Sequence, residues 1–225
     1  MVLDGPMSSQ RRAVLEAVAG LVPATRSDDC ARVAINGIDG AGKTTFADEL
    51  ARTLRAGGRP VVRVSVDDFH CVRAVRYRRG RGSAEGFWLD SFDYPSLRRS
   101  VLDPLGPGGS RRYRTAGHDL RTDAVLDSPW HTAPPGSVLV IDGLFLHRDE
   151  LVDGWDLSVF LDVPVEEAVA RMAQRDGTDP DPTHPSTARY VQGQRLYFEA
   201  CAPWRRADLV IDNEFPERPR LLPGP

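Results

Sequence analysis

Short runs of apolar, β-branched residues alternate along the chain with amphipathic stretches of helical period. This alternation predicts an α/β fold with a parallel sheet covered by helices on both faces. Residues 8–21 place Val14, Leu15, Val18 and Leu21 on one helical face, with Ser8 or Ser9 as cap. Residues 31–36 read as a buried strand. They run directly into a glycine-rich turn and then a helix that stops at Gly57-Gly58, where a left-handed C-cap suits glycine. Residues 60–66, 137–141, 157–161 and 207–211 supply four more strands. Pro164 opens a helix with Glu166 and Glu167 in its first turn, which suits the positive helix end. Residues 180–185 break the chain, and a helix is expected over 186–200.

From 67 to 136 the periodicity weakens, and Arg, Gly and Pro accumulate. Only a short helix near 94–102 is legible there. Irregular stretches this long in a compact domain usually carry function, so this one is expected to face a substrate. The organisation predicted for residues 1–225 is a single domain. It has an N-terminal helix and link (1–29), a substrate-binding insertion (67–136), a lid (164–185) and a frayed tail (214–225).

Composition changes this picture little, with one exception. The net charge of −3 gives no bulk case for nucleic acid or an anionic membrane as partner. No apolar run approaches the ~20 residues of a membrane span, and residues 1–10 lack a basic start followed by an apolar stretch. Cys30, Cys71 and Cys201 are odd in number and widely spaced, as expected in a reducing cytoplasm without disulfides or structural zinc. Homo-oligomerisation stays open. The exception is basic composition: 28 of the 29 basic residues are arginine, and Lys43 is the single lysine. A chain so biased keeps lysine where arginine cannot serve.

Lys43 closes the motif Gly37-Ile38-Asp39-Gly40-Ala41-Gly42-Lys43-Thr44, which satisfies GxxxxGK[ST]. Glycines let the backbone N–H groups wrap phosphate oxygens, and lysine brings a point charge to the β/γ-phosphates. The threonine hydroxyl suits Mg²⁺. ATP and Mg²⁺ are therefore the expected cofactors, with Thr45 completing the loop at the helix start. Asp67 and Asp68 end the second strand, where a carboxylate can take a proton from an attacking hydroxyl or cap a turn. Asp142 ends the strand 137–141 and is expected to join Thr44 at the metal. Arg171 and Arg175 lie four apart on one helical face, poised over phosphates or simply solvated. Tyr113, His118 and Arg121 lie in the irregular stretch, where residue type alone gives them no role.

Together these segments resemble the uridine (uridine–cytidine) kinases, within the larger group that holds phosphoribulokinase and pantothenate kinase. The resemblance rests on GIDGAGKTTFADEL, VDDFH, DSFDYPSL, VIDGLFL, ARMAQRD and ADLVIDN, over roughly residues 31–213. It implies a P-loop kinase fold with a lid helix, and Asp67 as catalytic base. It further implies Asp93 on the ribose and Tyr113 and His118 on the base of a nucleoside. Phe69, His70 and Arg121 are grouped with these as expected substrate contacts, and Lys43, Arg171 and Arg175 as phosphate contacts. The implied reaction is ATP-dependent phosphorylation of the 5′-hydroxyl of a pyrimidine nucleoside. Departures fall on the acceptor side. His70 stands where such kinases often have Tyr, Asp142 replaces a usual Glu, and residues 76–81 (RYRRGR) are unusually basic. The basic run keeps a pantothenate-like or sugar-phosphate alcohol in view. An ATP-driven regulatory switch is the rival of a different class.

Overall fold

The computed structural model describes residues 7–25 and 29–223. Six strands form one sheet: β1 (Ala31–Gly37), β2 (Val61–Ser65), β3 (Val138–Gly143), β4 (Leu157–Asp162), β5 (Leu209–Asp212) and β6 (Arg220–Leu221). Their order is β6-β5-β4-β1-β3-β2, with all pairs parallel except β5–β6. All six residues of β3 are buried, as a parallel strand covered on both faces requires. β1 shows how an uninterrupted apolar run serves two faces. Val33 and Ile35 point to one core with Leu15, Phe46 and Leu50, and Ala34 points to the other with Phe145 and Tyr197.

Helix α1 (Ser9–Leu21) and helix α2 (Lys43–Ala56) cover the first face. The Ser8 side chain accepts from Arg11 N, as a cap should. The predicted apolar face of α1 needs correcting: Leu15 and Val18 are buried, but Leu21 is exposed. Its largest buried side chain is Arg11, bonded to Glu49 and to Pro216 O at 2.6 Å each. The left-handed residue after α2 is Gly58 rather than Gly57.

The second face carries the 67–136 segment together with helix α5 (Pro185–Cys201). This segment is more ordered than its periodicity suggests. It contains helix α3 (Ala84–Asp90), a helical stretch at Tyr94–Leu97 continued by a wider turn at Arg98–Leu102, and two small antiparallel ribbons. α3 docks on α5 because Gly193 has no side chain; a Cβ there would lie 2.6 Å from Phe87 Cδ1. Helix α4 (Val165–Asp176) follows β4 and stops at Gly177, whose φ is +70°. The tail is likewise not frayed throughout, since β6 adds an antiparallel edge to β5.

Candidate active site

The loop between β1 and α2 stands at the carboxyl edge of the sheet, where β1 lies between β3 and β4. Crevices of open α/β sheets form at such points. Gly40 and Gly42 adopt φ of +81° and +84°, which residues with a Cβ rarely tolerate. Two asparagines fix the loop from below and from the side. Asn36 Oδ1 accepts from Gly37 N at 2.8 Å, and Asn213 Nδ2 donates to Ala41 O at 2.8 Å. Asn36 is itself held in a buried group, its amide facing His147 Nδ1 at 2.7 Å and bonding the Tyr197 hydroxyl. Neither asparagine is foreseen from sequence. A buried Asn between apolar strand residues and the N of VIDN are the signals that could have marked them.

Lys43 Nζ donates to Ile38 O at 2.8 Å, so the ammonium lies inside the loop. Burial lowers its pKa, while Asp39, Asp67 and Asp142 act in the opposite direction. Those carboxylates therefore share one electrostatic field with Lys43. The Thr44 hydroxyl donates to Asp142 Oδ2 at 2.6 Å, and Asp142 is 2% exposed. A hydroxyl and a carboxylate beside further acidic oxygens are the hard donor set that Mg²⁺ prefers. Arg63, in mid β2, places Nη2 2.8 Å from Asp142 Oδ1. It too escapes the sequence reading, although an arginine inside PVVRVSV is a visible irregularity.

Asp67 follows β2 on a short turn capped by Ser65. Its carboxyl is pushed above the usual carboxylate range, first by desolvation and then by Asp142 and Asp39; His70 and Lys43 oppose the shift. His70 Nδ1 contacts Asp67 O at 2.7 Å, and the ring packs 4.5 Å from Phe92. Burial holds the imidazole below its ordinary pKa. Phe69 is buried and forms the wall, while its carbonyl accepts from Asp93 N at 2.8 Å. That bond brings Asp93 beside the strand end. One Asp93 oxygen is occupied in capping Ser96 N at 2.9 Å.

His118 also reaches this side. Gly117 N donates to Asp68 O at 2.9 Å, and His118 Nε2 lies 3.1 Å from Asp123 Oδ1, while its buried Nδ1 has no partner. Three expected residues are placed differently. Tyr113 packs against His131 with the ring centres 5.6 Å apart, and its pKa is raised first by burial and then by nearby Cys30, at the foot of β1. Seven strand residues separate that point from the loop, roughly 20 Å at the rise of a strand. Arg121 lies at the surface in a turn made by Asp119. Arg171 spends its guanidinium on Glu167 and on the carbonyls of Asn213 and Glu214. Of the α4 pair only Arg175 meets the loop, at 3.2 Å from Asp39 Oδ1.

The basic run 76–81 is tied into the fold. Arg78 and Arg79 neutralise buried Asp90, and Arg76 donates to Cys71 O at 2.7 Å. Arg81 lies over the Tyr77 ring.

The chain is similar to several known proteins. A family profile described as an AAA domain matches residues 33–192. A thymidylate kinase of Limosilactobacillus fermentum is 28% identical over 201 residues, covering 83% of both chains. A uridine kinase of Ureaplasma parvum is 23% identical over 145 residues, covering 64% of this chain and 68% of the relative. Among solved structures, one provisionally named a uridine kinase from Bacillus stearothermophilus superposes with a TM-score of 0.69 at 25% identity. It covers 88% of this chain and 97% of its own. Another, provisionally named a fructose transport system kinase from Silicibacter, gives 0.68 at 26% identity, covering 87% and 98%. The chain therefore belongs to the AAA-domain family, among its uridine kinase-like P-loop kinases, and is an ATP-dependent phosphotransferase.

Proposed function

We propose that this kinase transfers the γ-phosphoryl group of ATP to the 5′-hydroxyl of a pyrimidine nucleoside, uridine or cytidine. One observation carries the reading. Asp67 stands at the end of β2 in the same field as Lys43 and Asp142, with Asp93 tied to the next residue but one. In this reading the acceptor hydroxyl gives its proton to Asp67 as its oxygen bonds the γ-phosphorus. The bond from that phosphorus to the β–γ bridging oxygen breaks, and ADP leaves. Lys43 and Arg175 offset the charge on the phosphates, and Arg171 supports Arg175 by anchoring α4. Asp93 would hold sugar hydroxyls with its second oxygen, and His70 and His118 would line the acceptor. Thr44 and Asp142 would hold Mg²⁺, which supplies charge neutralisation to the phosphates when bound with ATP.

A second reading keeps the chemistry and replaces the nucleoside with an uncharged sugar. The position of Tyr113 favours it, because a base would lose that contact, and the fructose-kinase neighbour points the same way. A phosphorylated acceptor held by the 76–81 run is disfavoured, since Arg78 and Arg79 serve Asp90. Product should be read directly with Mg-ATP and uridine, cytidine, fructose, pantothenate, ribulose 5-phosphate or thymidine monophosphate. Uridine or cytidine should give the highest kcat/KM. A higher value for fructose moves the assignment to the sugar, and ATP turnover indifferent to every acceptor overturns the kinase reading in favour of a switch.

A further inference from the structure

Arg63 is the one charged residue within β2. Its neighbours Val62 and Val64 are buried in the sheet. A guanidinium placed there needs partners where it leaves water. Nε donates to Asp48 Oδ1 at 2.8 Å, Nη1 donates to Val64 O, and Nη2 sits 2.8 Å from Asp142 Oδ1. The register puts Arg63 opposite Val140 and Ser65 opposite Asp142. Arg63 thus reaches up the strand direction to the acid on the neighbouring strand.

The consequence concerns the two oxygens of Asp142. Oδ2 takes the Thr44 hydroxyl, and buried Oδ1, which has no hydrogen-bond partner, is held by the Arg63 charge 2.8 Å away. Without Arg63 the aspartate keeps one partner and can turn about its terminal torsion, which is soft. Asp also has a shorter stem than Glu, so it gains less reach and depends more on being aimed. Asp48 sits one helical turn beyond Thr44 on α2, so the same guanidinium also ties the loop helix to β2. The Asp48 pair is half open to water, and such pairs contribute little to stability.

We propose that Arg63 is a positioning residue: it fixes Asp142 so that the oxygen facing Thr44 is presented to the Mg²⁺ that arrives with ATP. This rests on the reading that Thr44 and Asp142 hold that ion. Residues that orient a metal ligand from behind typically change metal affinity by about 10- to 100-fold when removed.

The test is calorimetric binding of a non-hydrolysable ATP analogue to the full chain while Mg²⁺ is varied, for wild type, Arg63→Met, Arg63→Lys and Asp48→Asn. In wild type, Mg²⁺ should tighten analogue binding. Arg63→Met should need about tenfold more Mg²⁺ for half of that gain, with metal-free binding unchanged. Arg63→Lys should recover part of the loss, and Asp48→Asn should match wild type. An equal Mg²⁺ half-point in wild type and a folded Arg63→Met overturns the proposal. Should Arg63→Met not fold, an unchanged half-point in Arg63→Lys overturns it equally. Wild-type binding indifferent to Mg²⁺ overturns the magnesium reading itself and the Arg63 role with it, an outcome distinct from an unchanged half-point in the variants.

Discussion

The nucleotide side and the acceptor side of the cleft are held by different kinds of force. Around the loop, geometry comes from uncharged contacts to the backbone: the Asn36 side chain to Gly37, the Asn213 side chain to Ala41, and glycines at positive φ. Across the 67–136 segment, backbone bonds such as Asp93 N to Phe69 O and Gly117 N to Asp68 O are joined by a set of charged contacts: Asp90 between Arg78 and Arg79, Asp123 with the Arg73 amide, Arg76 and His118, and Asp127 with Arg114. Backbone hydrogen bonds in a packed core are indifferent to salt, whereas exposed ion pairs are screened. The nucleotide half is therefore built as a fixed receptor. The 67–136 half adds arginine pairs, several of them at the surface, whose strength depends on salt.

The two halves meet at Asp67, at the end of β2. Asp67→Asn should lower kcat by about 10²- to 10⁴-fold, the usual worth of a positioned general base, with ATP affinity measured by calorimetry unchanged. Because the Asp67 carboxyl titrates above the usual range, wild-type turnover should fall as pH drops through that raised pKa. The residual activity of Asp67→Asn should lack that limb.

Beneath the loop, His147 is fully buried and its pKa is lowered to about 4. Burial is the main cause; Asp208 opposes it and Arg206 reinforces it. The folded state thus favours the neutral ring, whose Nδ1 faces the Asn36 amide. Below the unfolded pKa near 6.5 the unfolded chain binds the extra proton, so stability is lost as pH falls from there toward 4. The loss should reach about 3 kcal/mol at the lower end. Denaturant titrations at pH 7 and pH 4.5 should show a smaller pH difference for His147→Gln than for wild type.

Gly40→Ala probes the backbone of the phosphate loop directly. Its Cβ would sit 2.2 Å from Ala168 O at a φ of +81°. ATP binding should weaken by an amount on the order of 1–3 kcal/mol, the scale of local backbone strain. The smallest effect should come from Tyr113→Phe, which should leave kcat/KM within about twofold, because loss of a hydroxyl far from reacting atoms removes no transition-state contact. A large loss there would restore Tyr113 to the acceptor site.

Legibility divided along the same line. The loop could be read in sequence because its demands are local: glycine where φ is positive, lysine within a backbone nest, and a strand and helix at either side. Asp67, Asp93 and His118 could be placed by motif, and backbone bonds from Phe69 and Gly117 do bring them to one strand end. Arg63 and Asn36 could not, since their meaning depends on which strands become neighbours and in what register. Tyr113 was legible only as spacing, and its ribbon with His131 carries it toward the foot of β1. Arg171 and Arg175 share a helical face, but different carbonyls and carboxylates are available to each along it.

The absence of a side chain at Gly40 also fixes how the cleft can admit a nucleotide. Ala168 O fills the space a Cβ would occupy, so the phosphate loop and the first turn of α4 behave as one mechanical piece. Arg175, two turns farther along, meets the loop only through Asp39. Any widening of the cleft that keeps this close approach would have to come from the last turn of α4, where the Arg175–Asp39 pair is the contact that would part.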